Sequence, residues 1–262
     1  MTTAQAGLET SDDAFLGGAL NILQPKSGYR AGVDAVLLAA SVPASNGRPE
    51  RYLDAGGGVG TVGLCVARRC PDANVVLLER EPALVDLARQ NASRNGLAER
   101  VSVFSGDILA PASELAGLGL VAESFDHVLA NPPFHVEGQG TPAPDPLKSV
   151  AHAIPEADLD QWGRLLARMA APGGTATIIH KADALGKVMG ALSGRFGGLR
   201  ILPIYPREHS TAIRVIVHGT KGSRAPMTLL PPLILHGEGN SFLPTADAIF
   251  RNGAPLPLEA KR

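Results

Sequence analysis

RYLDAGGGVGTVGLCVARRCP, residues 51–71, holds in one run a short apolar strand ending at Asp54, a glycine-rich turn, and a helix closed by Pro71. Glycine tolerates left-handed backbone and carries no Cβ. A turn built on Gly56, Gly58 and Gly60 therefore lets a ligand approach the backbone and the N-terminus of the following helix. The next stretch, ANVVLLERE, reads as a buried strand ending at Glu79, roughly 20 residues after the turn, where a carboxylate accepts hydrogen bonds from ribose hydroxyls. Strand, turn, helix and strand in this order begin a parallel α/β sheet, because parallel neighbours need helical crossovers.

The same alternation continues outward. PALVDLARQNASRNGL opens with Pro82 at a helix start and closes at Asn95-Gly96; VSVFSGDIL alternates as a strand, ELAGLGL is a weak helix, and FDHVLANPPF is a strand running into a rigid turn. HVEGQGTPAPDPLKSVAHAIPEA reads as a long loop. A helix (DLDQWGRLLARMAAPGG), a strand (GTATIIHK) and a helix (ADALGKVMGALSGRFGG) follow. Two apolar strands, LRILPIYP and TAIRVIVHG, are separated only by REHS and predict an antiparallel pair at a sheet edge. Upstream, Val33, Val36, Leu37 and Ala40 fall at helical spacing, with Asp34 in the first turn, where a carboxylate suits the helix dipole. The expectation is a doubly wound, seven-stranded, mostly parallel sheet with a C-terminal antiparallel hairpin. It divides into an N-terminal extension over the cofactor site (1–48), a central domain (49–222) and a C-terminal extension (223–262).

Composition narrows the function classes. With 45% hydrophobic and 19% charged residues over 262 positions, the chain is neither a disordered polyelectrolyte nor collagen-like. The net charge of −1 excludes a generally basic nucleic-acid coat, but the charge is uneven. Residues 1–150 carry 11 basic and 17 acidic side chains, and residues 151–262 carry 13 and 8, so a polyanion contact belongs to the C-terminal part. There, Arg195, Arg200, Arg207, Arg214, Lys221 and Arg224 are placed to guide a nucleic-acid backbone or to solvate a sheet edge. Cys65 and Cys70 have no metal-ligand spacing, nor do the seven histidines, so no metal site is expected. The acidic N-terminus is unlike a signal peptide, and no run reaches the ~18 apolar residues of a membrane span, so a cytoplasmic protein is expected.

The chemistry-bearing residues follow the fourth strand of the alternation. In Asn131-Pro132-Pro133-Phe134 two prolines fix their own φ and remove two N–H donors. The turn then presents an amide side chain and a proline carbonyl as acceptors beside an aromatic face. That set suits a planar amine. An exocyclic amino nitrogen has its lone pair delocalised into the base, and acceptors on both N–H bonds stabilise the positive charge that develops as the nitrogen is alkylated. Phe134 is placed to stack on the base. Asp107, in SGDIL, has two readings: a contact to the adenine of a nucleoside cofactor, or an Asx turn.

LDAGGGVG, LLERE, SGDIL and NPPF together resemble the class I S-adenosylmethionine-dependent methyltransferases, whose (N/D)PP(F/Y/W) motif marks amino-group methylation. The upstream GYRAGVDAVLLAAS is similar to the corresponding segment of the tRNA1(Val) adenine-37 N6-methyltransferase family. The resemblance covers residues 20 to 220. It implies a Rossmann-like fold and S-adenosylmethionine as cofactor, with Gly56, Gly58 and Gly60 around its methionine portion, Asp54 nearby, Glu79 on the ribose, and Asp107 and Ile108 flanking the adenine. Asn131 and the Pro132 carbonyl would hold the target amine and Phe134 would stack on it. Tyr29, Arg30 and Asp34 match the upstream segment, as residues closing over the site or as helix entry and surface charge. Lys148 and His152, in the long loop, have two readings, contacts to phosphate or solvated loop charges. The implied function is methylation of a nucleobase exocyclic amine, N6 of adenine in tRNA.

Other readings share parts of this pattern. A protein glutamine amide presents a similar planar NH₂, as does guanine N2 in ribosomal RNA. A NAD-dependent oxidoreductase would use the glycine loop and Glu79 but lacks a hydride-transfer constellation. A non-catalytic RNA-binding module would keep the fold without turnover.

Overall fold

A computed structural model describes residues 8–28, 30–43, 47–133 and 159–258. The chain enters as an antiparallel hairpin of β1 (Thr10–Phe15) and β2 (Leu20–Pro25), followed by helix α1 (Val33–Ala40). Strands and helices then alternate: β3 (Glu50–Ala55), α2 (Thr61–Arg69), β4 (Ala73–Glu79), α3 (Pro82–Arg94), β5 (Val101–Ser105), α4 (Ala112–Gly117) and β6 (Phe125–Ala130). Helix α5 (Leu159–Met169), β7 (Ala170–Lys181) and α6 (Leu185–Leu192) lead into the long strands β8 (Phe196–Arg207) and β9 (Arg214–Lys221). Two short strands, β10 (Thr228–Leu229) and β11 (Leu233–His236), and helix α7 (Pro244–Asn252) complete the elements.

The spatial order is β5-β4-β3-β6-β7-β9-β8. Strands β3 to β7 are mutually parallel and β9 runs antiparallel between β7 and β8. The mostly parallel α/β sheet is as expected from the alternation, and these seven strands are joined in it by two short ones, β10 and β11. The position of the hairpin differs. Strand β9 is interior, and β8 is not an edge either, because β10 and β11 both pair alongside it in parallel. The N-terminal hairpin was not legible as strands: TSDDAF lacks an apolar face of its own, and its acidic residues find arginines instead, Asp13 with Arg30 and Asp12 with Arg94.

The two faces of the sheet bury separate cores. On one, Leu20 and Ile22 of β2, Leu37 and Leu38 of α1, Leu64 of α2 and Ile249 of α7 pack over Leu77, Leu129, Ile179 and Ile216. On the other, Leu115 of α4, Trp162 and Leu166 of α5 and Val188 of α6 cover Leu53, Leu78, Val128 and Ile178. The strand order reverses at β3, whose neighbours are β4 on one side and β6 on the other. Ligands of such sheets bind beyond the carboxyl ends of the strands at that reversal.

Candidate active site

The loop after β3 and the turn after β6 meet at the reversal. Gly56, Gly57, Gly58, Val59, Thr61 and Val62 share a cleft with Asn131, and Ala31 and Ala35 close it from the α1 side. Thus the glycine turn and the Asn131 turn, distant in sequence, line one space.

The glycines divide by role. Gly56, Gly58 and Gly60 all have positive φ, +66°, +56° and +91°. A Cβ on Gly56 would lie 2.5 Å from the Trp162 ring, and one on Gly60 3.0 Å from Leu77. A Cβ on Gly58 would meet nothing within 4 Å. Gly58 is therefore the open position of the loop, and its N–H donates to Glu79 Oε2 at 2.9 Å. Gly63, inside α2, allows that helix to lie against β4, since a Cβ there would come within 2.3 Å of Leu77.

Two carboxylates hold the loop from below. Asp54 is buried and accepts the Gly63 N–H at 3.0 Å. Burial pushes its carboxyl up to about 7, helped by the negative charge of Glu79 and opposed by that hydrogen bond. Glu79 accepts the N–H groups of Arg80 and Glu81 on Oε1, at 2.8 and 2.9 Å, besides that of Gly58 on Oε2. Each carboxylate oxygen has two acceptor sites, so these bonds fill Oε1 and fix the group while leaving one site on Oε2 for a hydroxyl donor. Asp107 forms the Asx turn: its Oδ1 accepts Leu109 N–H at 2.8 Å. Ile108 is half-buried against the second core, and the Gly106 N–H donates to Glu79 O at 2.9 Å, joining this turn to the end of β4.

The chain is similar to several known proteins. Residues 31–154 match the model of the methyltransferase small domain. The tRNA1(Val) (adenine(37)-N6)-methyltransferase of Bacteroides thetaiotaomicron is 32% identical over 215 residues, covering 82% of this chain and 80% of that protein. Its counterpart in Porphyromonas gingivalis is 28% identical over 239 residues, 88% and 91% of the two chains. Among solved structures, a predicted O-methyltransferase from Agrobacterium tumefaciens, protein Atu636, superposes with a TM-score of 0.71 at 31% identity, over 85% of this chain and 98% of that one. The chain belongs to the family of the tRNA1(Val) (adenine(37)-N6)-methyltransferases. It is an S-adenosylmethionine-dependent N-methyltransferase.

The cleft of this methyltransferase suits that cofactor. Gly58 leaves open the side that a Cβ would occupy, and the first turn of α2 begins at Gly60 without a side-chain cap. The N–H groups of Thr61 and Val62, which precede the Gly63 N–H taken by Asp54, and the helix dipole favour a carboxylate such as that of the methionine moiety. Thr61, which lines the cleft, has a buried Oγ1 with no hydrogen-bond partner among the described residues. An orphaned hydroxyl at a helix N-terminus is what a polar ligand would satisfy. Thr61 was missed in the sequence, where a threonine after a glycine loop reads as ordinary helix entry.

The remaining expected site residues fare differently. Asp34 binds Arg214 Nε at 2.8 Å rather than facing solvent. Arg30 does not line the cleft; its guanidinium is taken by Asp13, Ser11 and the Pro25 carbonyl, so it ties α1's approach to the hairpin. Tyr29, Phe134, Lys148 and His152 lie outside the described residues. The expected basic cluster is divided. Arg207 and Arg214 stand at the cleft end of the sheet, whereas Lys221 at the far end donates to Glu123 and the carbonyls of Ala167 and Ala170, and Arg195 pairs with Asp160. Among the described residues no group of three metal-ligating side chains occurs, and no helix is long and apolar enough to cross a membrane.

Proposed function

We propose that this methyltransferase transfers a methyl group to N6 of adenine in tRNA, in the cytoplasm. The observation that carries the reading is Asn131, at the carboxyl end of β6, lining the same cleft as the glycine loop. The amide oxygen of Asn131 and the carbonyl of Pro132 accept the two N–H bonds of the exocyclic amine, and Phe134 stacks on the base. S-adenosylmethionine supplies the electrophilic methyl. The chain's own residues do the rest. Gly56, Gly58 and Gly60 admit the methionine portion, Glu79 takes the ribose hydroxyls, and Asp107 with Ile108 borders the adenine. Asp54 holds α2 under the loop. Holding both N–H bonds fixes the plane of the amine and points its lone pair along the transfer direction. It also places two oxygens against the positive charge that develops on nitrogen. No side chain need remove a proton first, because the amine becomes acidic only as it is alkylated.

The family of the relatives and the C-terminal basic excess favour a base over a glutamine amide, although the amine chemistry of Asn131 is common to both. Residues 1–48 act in this reading as a cover for the cofactor, consistent with Ala31 and Ala35 in the cleft wall. Lys148 and His152 are the loop residues offered to the RNA backbone.

The test is transfer of labelled methyl from S-adenosylmethionine to total RNA from cells lacking the protein, followed by nucleoside analysis. N6-methyladenosine confined to tRNA is expected; label found in protein instead would move the glutamine amide to first place. In the same assay Asn131→Ala is expected to lower kcat at least 100-fold, the scale set by losing a transition-state hydrogen-bond acceptor. Its affinity for S-adenosylhomocysteine should stay within about threefold of the wild type, a loss of less than one hydrogen bond. Retained turnover would remove the amine-acceptor role.

A further inference from the structure

The only described contact of the Asp34 carboxylate is to a residue 180 positions away. Asp34 Oδ2 accepts Arg214 Nε at 2.8 Å, with the side chains only 14% and 27% exposed. The pair joins the first turn of α1 to the first residue of β9. Helix α1 is a wall of the cleft through Ala35, with Ala31 just before it. Strand β9 is two strands from β6, with β7 between them. At a strand spacing of about 4.8 Å, Arg214 is anchored roughly 10 Å to the side of the β6 end that carries Asn131. That is the side away from β4, so it lies opposite the Glu79 ribose position.

Face and register agree with this placement. Leu129, Ile179 and Ile216 belong to one core, and alternation puts Asn131, Lys181 and Arg214 on the same face as those residues. Lys181 and Arg214 are direct register partners. Val33 and Ile213, the sequence neighbours of the ion-paired residues, are exposed. The other oxygen of Asp34 is buried with no hydrogen-bond partner among the described residues. The carboxylate is thus held at this place by the arginine, and removing the arginine leaves a partly buried charge without compensation.

We propose that Asp34 and Arg214 are a positioning pair that fixes the distance between the α1 wall and the sheet beyond Asn131, and so sets the width of the pocket for the target base. The proposal rests on the base-amine reading above for the identity of that substrate. Neither residue touches the reacting atoms; both act through α1. Displacing a substrate-positioning wall by about 1 Å can lower turnover on the order of 100-fold, while the cofactor, held from the β3 and β4 side, should be affected little.

The experiment compares the wild type with Arg214→Ala, Arg214→Lys and the charge-swapped Asp34→Arg/Arg214→Asp chain. RNA methylation kinetics, S-adenosylhomocysteine binding by calorimetry, and hydrogen exchange of the Val33–Ala40 amides are measured for each. Arg214→Ala is expected to lower kcat about 100-fold, to leave analogue affinity within about threefold, and to speed exchange across α1. The swapped chain should recover at least about tenfold of that kcat, the worth of a restored partly buried pair. A merely structural role would lower Tm without the kcat-against-affinity split, and would overturn the proposal. So would a swapped chain no better than Arg214→Ala. Should Arg214→Ala fail to fold, Arg214→Lys, which keeps the charge, carries the same comparison. If the wild type itself methylates no RNA, the base reading fails. The pair is then judged by exchange alone: faster in Arg214→Ala and restored in the swap sustains it, and unchanged exchange overturns it.

Discussion

Asp54 shows how a single carboxyl can serve a loop while opposing folding. Its burial raises the folded pKa to about 7, against an ordinary carboxylate value near 4 in the unfolded chain. The native state therefore holds a proton that the unfolded state releases, and the stability gained from that proton is lost as pH rises through about 4 to 7. Between pH 5.5 and 8.5 the loss from this group is about 2 kcal/mol. Asp54→Asn keeps an oxygen for the Gly63 N–H and removes the titration. Thermal melts at the two pH values should show a smaller drop for the variant, and equal drops would contradict the buried, protonatable Asp54. Thr61 gives a prediction of opposite signs. Thr61→Val removes an orphaned buried hydroxyl, which should raise the Tm of the ligand-free protein; if that hydroxyl serves the cofactor, the same change should weaken S-adenosylmethionine binding roughly tenfold. Tighter or unchanged binding in a calorimetric titration would remove Thr61 from the site. Asp54, the glycines and Glu79 were legible because strand ends and glycine spacing mark them. Thr61 was not, since its burial without a partner is a property of the folded loop.

At the scale of elements, helix α3 explains how the N-terminal hairpin is held. Asn91 is fully buried on the apolar side of α3, among Val85, Leu87, Ala88 and Ala92. Its Oδ1 accepts Leu23 N–H at 2.8 Å, and its Nδ2 donates to the carbonyls of Leu23 and Val59, both at 3.0 Å. One side chain thus satisfies the edge of β2 and the cofactor loop together. A polar residue on an apolar helical stripe signals a buried network, and RQNASRNGL contained that signal; its partners did not follow from sequence, because β2 was itself unrecognised. Asn91→Ala should cost about 3 kcal/mol, about 1 for each lost hydrogen bond, with a further loss of cofactor affinity through Val59. Asn95 also makes three side-chain bonds, to the Asn21 N–H and carbonyl and to the Asn91 carbonyl, but the two to Asn21 are exposed and water replaces them, so the same change should cost only about 1 kcal/mol. Denaturant melts of both variants check the ratio, and similar costs would mean that α3 does not hold the loop through Asn91. The β8–β9 pair was legible as a hairpin from its short REHS connection. Its insertion with β9 inward was not, because local pattern specifies pairing and not which partner faces the sheet.

For the whole molecule, the question is what residues 223–258, most of the segment set apart in the sequence as a C-terminal extension, do for the fold. The buried residues answer it. Leu230, Leu233 and Leu235 follow β9, Ile249 lies in α7, and Leu256 and Leu258 come last, all in the core that also contains α1 and α2. The Leu256 N–H donates to the Ala40 carbonyl at the end of α1, and Arg69 at the end of α2 donates to the Gly253 carbonyl at 2.6 Å. The C-terminal segment thus buttresses, from behind, the two helices whose front ends line the cleft. Six such leucine and isoleucine side chains at roughly 1.5–3 kcal/mol each amount to about 10 kcal/mol or more. That matches the entire stability of a typical domain, about 5–15 kcal/mol. A chain ended after residue 222 should therefore show no cooperative melt and bind no cofactor, whereas one ended after residue 258 should melt like the full chain. A cooperative transition in the shorter chain, with S-adenosylhomocysteine affinity preserved, would mean that α1 and α2 hold the cleft without this support. The boundary at 222 was drawn where the predicted strands stop alternating with helices. Beyond it β10 and β11 are too short to register as strands, yet β11 carries Leu233 and Leu235 of the core.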